Sequence, residues 1–358
     1  MDRDAVLAAR LATQRLTGPP ASDPVQVVRE LLCVQSQDAP LARAMIALRC
    51  GGTDADVQAA VARGELVRTH VLRPTWHYVA AEDLRWLLAL TSPKVESGMA
   101  ARHRQLELSE PRVRAGLDII AAELSGRRYA SRTVLGAALA ASGVLDGGDP
   151  QFGQQVGHLL LLGELRAELC SAPAAGTEHR YALVEEVLPP AEPCEREEAI
   201  ARLVHRFLAG HGPVALSDLT RWARVTLGEA RTAVRALDGR VARLEVDAEE
   251  LWHVPDAALP AARPQRAWLV STFDEVFLSY RRVPWPRSAG HPAGAEPYRF
   301  AEAGGGVVLC DLADVGAWKR TRAAGAARID LVLDPGLDPA ARSAVDDAVQ
   351  RLVATIDG

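Results

Sequence analysis

Apolar residues recur along most of this chain at helical spacing, and three times that spacing gives way to alternation. "PVQVVRELLCVQSQ" and "TDADVQAAVARG" have the three- and four-residue apolar intervals of helices, with Ser22 or Asp23 and Thr53 placed to cap their starts. β-Branched runs follow in "ELVRTHVLRPTWHYV", split at Leu72-Arg73-Pro74, which predicts a hairpin. "SRTVLGAALAASG" and "QFGQQVGHLLLLGEL" repeat the layout ahead of "RAELCSAPAAGTEHRYALV", a hairpin with a Gly/Pro/Ala tip. "VALSDLTRWARV" and "TLGEARTAVRAL" repeat it again ahead of "VARLEVDAEELWHVP", whose turn falls near Asp247-Ala248. Beyond the third hairpin, "WLVSTFDEVFLSYRRVPWPRSAGHP" predicts a strand running into a Pro/Gly loop. "GGGVVLCDL", "GAWKRTR" and "ARIDLVLDP" predict small-sheet strands, and "DPAARSAVDDAVQRLVATI" an amphipathic helix with Val345, Val349 and Val353 on its apolar side.

Helix–helix–hairpin is the outline of a winged helix-turn-helix module, in which a helix can enter a DNA groove and the hairpin wing touches the backbone. One such outline is weak, because structural domains share it; three in tandem favour the module. The expected fold class is α+β, with three tandem winged-helix units and a small C-terminal sheet-plus-helix element. The expected boundaries are 1–92 for the first unit and 93–190 for arginine-rich helices with the second. The third unit takes 191–258, and 259–358 holds an α/β element carrying "FDE" and "YRR".

Composition narrows the function. With 358 residues and 48% hydrophobic content the chain can bury a sizeable core, and its length suggests two or three domains. Its longest apolar runs, such as "HLLLLGEL", are too short for a membrane span, and "MDRDAVLAAR" lacks a signal-peptide core. Five cysteines are scattered, odd in number and without a CxxC pair, which argues for a reducing cytoplasm and against a disulfide framework or zinc site. His103, His158, His179, His205 and His211 are too dispersed for ligand spacing, and "GGG" at 304–306 lacks the Lys-Ser/Thr of a phosphate loop. No metal and no cofactor is expected. The net charge is −5, but unevenly spread. From Leu66 to Thr133 there are 11 Arg+Lys against 7 Asp+Glu, a local +4, leaving 30 against 39 elsewhere, or −9. Charge alone leaves a phosphate-binding surface and a solvated helical face equally open.

Five stretches together resemble the AlkZ/YcaQ family of DNA glycosylases. They are the Q-x-Q of "LLCVQSQDAP", "LVRTHVLRPTWHYVAAEDLRWLLAL", "GHLLLLGELRAEL…HRYALVEEVLP", "RFLAGHGPVALSDLTRWARV" and "FDEVFLSYRR". The resemblance runs from about residue 5 to 355. It implies three winged-helix units in a C-shape around a basic channel for duplex DNA, and removal of bulky or cross-linking N7-alkylated guanines. Several such enzymes protect producers of DNA-alkylating antibiotics. By the same resemblance Gln35 and Gln37 are the catalytic pair, and Gln rather than Asp at 37 puts the chain on the AlkZ-like side. The middle position, usually aliphatic, is Ser36 here.

Two amides cannot protonate a leaving base, but an N7-alkylguanine is already cationic and leaves as a neutral base. What remains is to position water and stabilise an oxocarbenium-like sugar, which amide oxygens can do. Candidate DNA contacts on the first hairpin are Arg68, His70, Arg73 at its tip, Thr75 and His77. Strand alternation puts Thr75 and His77 on one face and Trp76 and Tyr78 on the other, with Trp76 the expected core residue. His77 has a site role and a structural role equally open. Arg102, Arg104, Arg112 and Arg114 line DNA if the channel is present and are otherwise a solvated face; Arg281 and Arg282 complete the set. Asp38 is expected to end a helix rather than act as a base. Asp274 and Glu275 are expected to form an arginine–carboxylate lock rather than an acid site. The expected protein is thus a monomeric, cytoplasmic, nucleoid-associated monofunctional glycosylase acting on double-stranded DNA, without a membrane partner. The rivals are a non-catalytic winged-helix regulator, which three tandem units fit poorly, and a DNA-binding paralogue without activity.

Overall fold

The structure is a computed structural model that describes residues 2–176, 178–192, 194–255, 266–292, 304–323 and 326–357. Thr177 in the tip of the second hairpin and the expected boundary at 258/259 lie outside these residues. Helix and sheet are mixed, and the chain forms two compact units: Met1–Ala59 with Ile200–Gly358, and Ala60–Ala199.

In the first unit the C-terminal strands form a four-stranded antiparallel sheet. Its order is Ala326–Leu333, Ala313–Ala323, Gly305–Cys310, Ala267–Ser271. Val307 sits opposite Val270 on one side and Ala317 on the other. Every residue of Ala267–Ser271 is buried, because helices cover the sheet. Leu7 and Leu11 of helix Arg3–Thr13, Leu41 and Met45 of helix Ala39–Cys50, and Val345 and Leu352 of helix Pro339–Asp357 share one core with Val270, Val307 and Trp318. On the C-terminal helix the buried line runs Ala341, Val345, Ala348, Leu352, Thr355. Val349 and Val353 therefore flank the expected apolar face rather than define it. Alternating steps of four and three keep such a line on one side of a 3.6-residue helix, whereas steps of four alone drift off it.

The third hairpin also belongs to this unit, pairing Ala242–Val246 with Glu249–His253. Asp247 and Ala248 both have positive φ (53° and 60°), as a two-residue connection needs in order to follow the strand twist. One close approach fixes how the helix Arg196–His211 meets the helix Pro24–Leu31. A Cβ on Gly210 would lie 2.1 Å from the Glu30 carbonyl oxygen and 3.4 Å from the Leu31 Cα. Neither backbone can yield, so Gly210→Ala is expected to cost about 1–3 kcal/mol, read as a fall in Tm of several degrees.

The second unit packs the helices Glu110–Leu124, Arg132–Ala141 and Phe152–Leu165 around Leu117, Ile120, Leu135, Leu139, Val156 and Leu159, with the long helix Leu84–Gln105 against Phe152–Leu165. Ser131 caps Arg132–Ala141 by accepting from the Val134 N–H. The second hairpin, Leu169–Ala175 with Glu178–Leu183, carries the short strand Ala130–Ser131 on the outer side of Glu178–Leu183. The first hairpin pairs Leu66–His70 with Trp76–Ala80, as the alternation predicts. Among the described residues all five cysteines are free thiols, no group of three metal-ligating side chains forms, and no helix is long and apolar enough to cross a membrane.

Candidate functional site

The helical run that ends in "CVQSQDAP" breaks one turn early. The helix Pro24–Leu31 stops, and Leu32 takes φ 67° and ψ −47°. The Cys33 N–H then donates to the Leu31 carbonyl at 2.8 Å, closing a three-residue γ-turn. A positive-φ γ-turn is strained for a leucine and persists only where the surroundings enforce it. Here Leu32 is fully buried. Beyond the turn Val34–Gln35 is a short strand, so the Q-x-Q motif begins on a strand and Gln37 follows in a bend, outside any helix. Asp38 does not end a helix; it starts one. Its carboxylate accepts from the Leu41 N–H at 3.0 Å and caps Ala39–Cys50, with Pro40 in the first turn, where a missing N–H costs nothing.

Within this frame Gln35 is 7% exposed, Ser36 is fully buried, and Gln37 is exposed. The buried middle position explains why an aliphatic residue suits it; serine fills it with a smaller side chain. The Gln35 N–H donates to Glu275 Oε1 at 3.2 Å, and Glu275 Oε2 accepts from Trp222 Nε1 at 2.8 Å and Ser279 Oγ at 3.1 Å. His211 Nε2 stands 3.8 Å from the same oxygen, its ring stacked on Phe207 at 4.3 Å. Glu275 is 1% exposed, so this carboxylate is a fixed internal acceptor.

Its neighbour Asp274 is equally buried and engages Arg49 through two parallel bonds of 2.9 and 2.7 Å. Asp274 also caps the helix Glu275–Leu278 by accepting from the Val276 N–H. Arg49 further donates to the carbonyls of Gln14 and Met45. The expected arginine–carboxylate lock therefore forms at Asp274, with Arg49 as its arginine, while Arg281 and Arg282 lie further along the loop. Those two offer backbone N–H groups to the Asp218 carboxylate at 2.9 and 3.3 Å, and their side chains are exposed. Arg282 reaches Glu249 at 3.0 Å. Arg10, buried among the carbonyls of Pro213, Arg282 and Val283 and 4.0 Å over the Tyr280 ring, braces the same loop. Burial pulls its guanidinium down to about 10.

Sequence reasoning passed over three of these parts. Trp222, His211 and Arg49 are spread over 174 positions: the two rings lie 5.6 Å apart beside Glu275, and Arg49 engages Asp274. A fourth is Arg320. A Cβ on Gly304 would lie 3.5 Å from Asp38 Oδ2 and 3.9 Å from Arg320 Nη2, so a carboxylate and a guanidinium flank one glycine beside the motif. The signal for it was visible in "GAWKRTR", which puts Lys319 and Arg320 side by side on a strand.

The first-hairpin candidates lie in the other compact unit. His77 is fully buried, with Nδ1 2.9 Å from the Thr75 carbonyl, and it faces Thr69 across the hairpin. Trp76, the expected core residue, is half-buried and sits in a stack. The Arg68 guanidinium lies 4.1 Å above its ring, His70 packs at 4.0 Å and His179 at 4.9 Å. His70 Nδ1 is hydrogen-bonded to Glu164, a wholly buried carboxyl that burial pushes above the usual carboxylate range. Arg73 and Thr75 are half-buried at the tip, where Leu72 makes a second positive-φ γ-turn. Of the helical arginines, Arg104 is exposed and Arg102 bonds Gln105 and Gln154. Arg112 holds the Val144 carbonyl, and Arg114 grips Glu168 through bonds of 2.9 and 2.8 Å.

The histidine in this stack carries a pH dependence. Burial first, then Arg68 and His70, push the His179 imidazole down to about 4 from its usual 6.5. The unfolded chain thus takes up a proton that the folded chain refuses. Stability is full above pH 6.5 and falls as acid moves toward 4. Between pH 7 and 5 this group should remove about 2 kcal/mol, and His179→Phe should lose less stability than wild type over that interval in paired urea titrations.

A family model for AlkZ-like DNA glycosylases matches residues 28–355, and the chain belongs to that family. Among solved structures it is similar to the Streptomyces sahachiroi DNA glycosylase AlkZ, with a TM-score of 0.78 at 18% identity over 100% of this chain and 97% of that one. That similarity establishes a shared fold. A Corynebacterium diphtheriae protein matches 60% of this chain and 39% of its own length at 17% identity, with a TM-score of 0.17 that supports no structural conclusion. No match is found among curated proteins.

Proposed function

We propose that this protein is a monofunctional DNA glycosylase that hydrolyses the N-glycosidic bond of bulky N7-alkylguanine adducts in duplex DNA, leaving an abasic site. Tandem winged-helix units carry the DNA, Gln35 and Gln37 carry the chemistry, and the physiological role is protection against a DNA-alkylating natural product. The observation that supports this most is how the carboxylates beside the motif are used. Glu275 is sealed in the interior accepting three hydrogen bonds, and Asp38 caps a helix. Neither is arranged as a proton donor, so the site suits a base that departs without one. Gln37, exposed at the end of a strand pinned through Gln35, can place water and present its amide dipole to a cationic sugar. An exposed glutamine also suits a lesion too bulky to rotate into a snug pocket. Exposed Arg104, Arg281 and Arg282, with Arg320 beside the motif, supply charge for phosphates.

The test is a duplex bearing one defined N7-alkylguanine, scored for abasic sites by alkaline cleavage. Wild type should release the base and leave the strand intact until alkali is added. Release that is equal in wild type, Gln35→Ala and Gln37→Ala would remove the assigned chemistry. Salt-sensitive binding with no release from any alkylated duplex would favour the non-catalytic DNA-binding protein instead.

A further inference from the structure

The second compact unit contains a cavity of about 460 Å³ that the glycosylase reading does not use. It is lined by Arg85, Leu88, Ala89, Ser92 and Glu96 on one helix and by Leu165 and Arg166 at the end of another. Three polar groups on its lining residues have hydrogen-bonding capacity to spare. The Ser92 Oγ is buried without a partner on a residue only 7% exposed. Arg85 donates through Nε to the Pro189 carbonyl and through Nη1 to Glu185, while its buried Nη2 has no partner. Pro93 lies inside the helix and has no N–H, so the helix leaves the Ala89 carbonyl without its usual donor four residues on. Buried polar groups of this kind normally find a partner, and three around one cavity point to a ligand.

The charges say which kind. Arg85 is matched by Glu185, and Arg166 by Glu96 at 2.6 Å and Glu110 at 2.7 Å. A wall already neutralised by carboxylates has little to offer a phosphate or a second carboxylate. It offers donors from Arg85 and Ser92, acceptors from Ala89 and Glu96, and apolar surfaces from Leu88 and Leu165. A flat, neutral heterocycle with donors and acceptors around its rim answers that set. The remaining Arg85 Nη2 can donate to N7 or O6 on the edge of a guanine, and a carboxylate accepts from ring and exocyclic N–H groups. We propose that this cavity is a binding site for a free purine base of the guanine type, separate from the Q-x-Q motif.

The test is isothermal titration of the full-length protein, without DNA, with 7-methylguanine, hypoxanthine, inorganic phosphate and acetate. Since no excision is involved, the result stands apart from the reading of the glutamine pair. Binding of the purines but not the anions is expected. Ser92→Ala should weaken it about tenfold. Ala89→Trp, which fills the cavity from an exposed helix position, should abolish it with the circular dichroism unchanged. No purine binding, preference for phosphate or acetate, or purine binding unaffected by Ala89→Trp would each overturn the assignment.

Discussion

Gln37→Ala is expected to lower the single-turnover rate of N7-alkylguanine release by roughly 10²–10³-fold, the usual consequence of removing one preorganised polar group from a transition state. Because Gln37 is exposed and its backbone lies beyond the pinned strand, Tm should not move. Glu275→Gln provides the contrast. Glutamine can accept on one side only, so its NH₂ group must face either the Gln35 N–H or the Trp222 Nε1–H, donor against donor. As a positioning residue Glu275 should act through kcat with KM little changed, and a displacement on the order of 1 Å can cost about 10²-fold. A variant that lost KM alone would show that Glu275 shapes DNA binding instead.

The largest stability effect should come from Arg49→Ala. Both partners of the Arg49–Asp274 pair are 1% exposed, and removing the arginine leaves a carboxylate uncompensated in the interior. Breaking such a pair from one side costs about 3–5 kcal/mol, which for a unit of this size lowers Tm by roughly 10 °C. Arg49→Met combined with Asp274→Asn should recover much of the loss, because the neutral amide can still cap the helix Glu275–Leu278. If the double variant is no more stable than Arg49→Ala, the penalty lies in the bonds from Arg49 to the Gln14 and Met45 carbonyls.

Much of the fold was legible because local rules operate undisturbed over long stretches. All three hairpins lie where alternation interrupts helical spacing, and Asp23 and Thr53 cap as their side chains predict. The motif was legible only as letters. Helical spacing carries straight through "LLCVQSQ", yet the helix ends at Leu31, since a buried carboxylate 240 residues away takes the Gln35 N–H. Propensity has no means of representing a hydrogen bond of that sequence separation. Asp38 was misplaced for a related reason. Asp before Ala-Pro satisfies a helix end and a helix start equally, and the following apolar stripe of Leu41, Met45 and Leu48 decides it by packing on the sheet.

What the sequence determined by itself is a succession of helices and hairpins, a basic stretch in an acidic chain, and a pair of glutamine amides that neither give nor take a proton near neutral pH. Side-chain chemistry and short-range spacing suffice for all of these. Only the tertiary structure decided that Gln35 ends a strand with Gln37 exposed just beyond it, that Glu275 and Asp274 are buried supports, and that His77 is an interior residue. Each depends on groups far apart in the chain being withdrawn from water together, where an unmet donor or charge costs far more than any local preference gains.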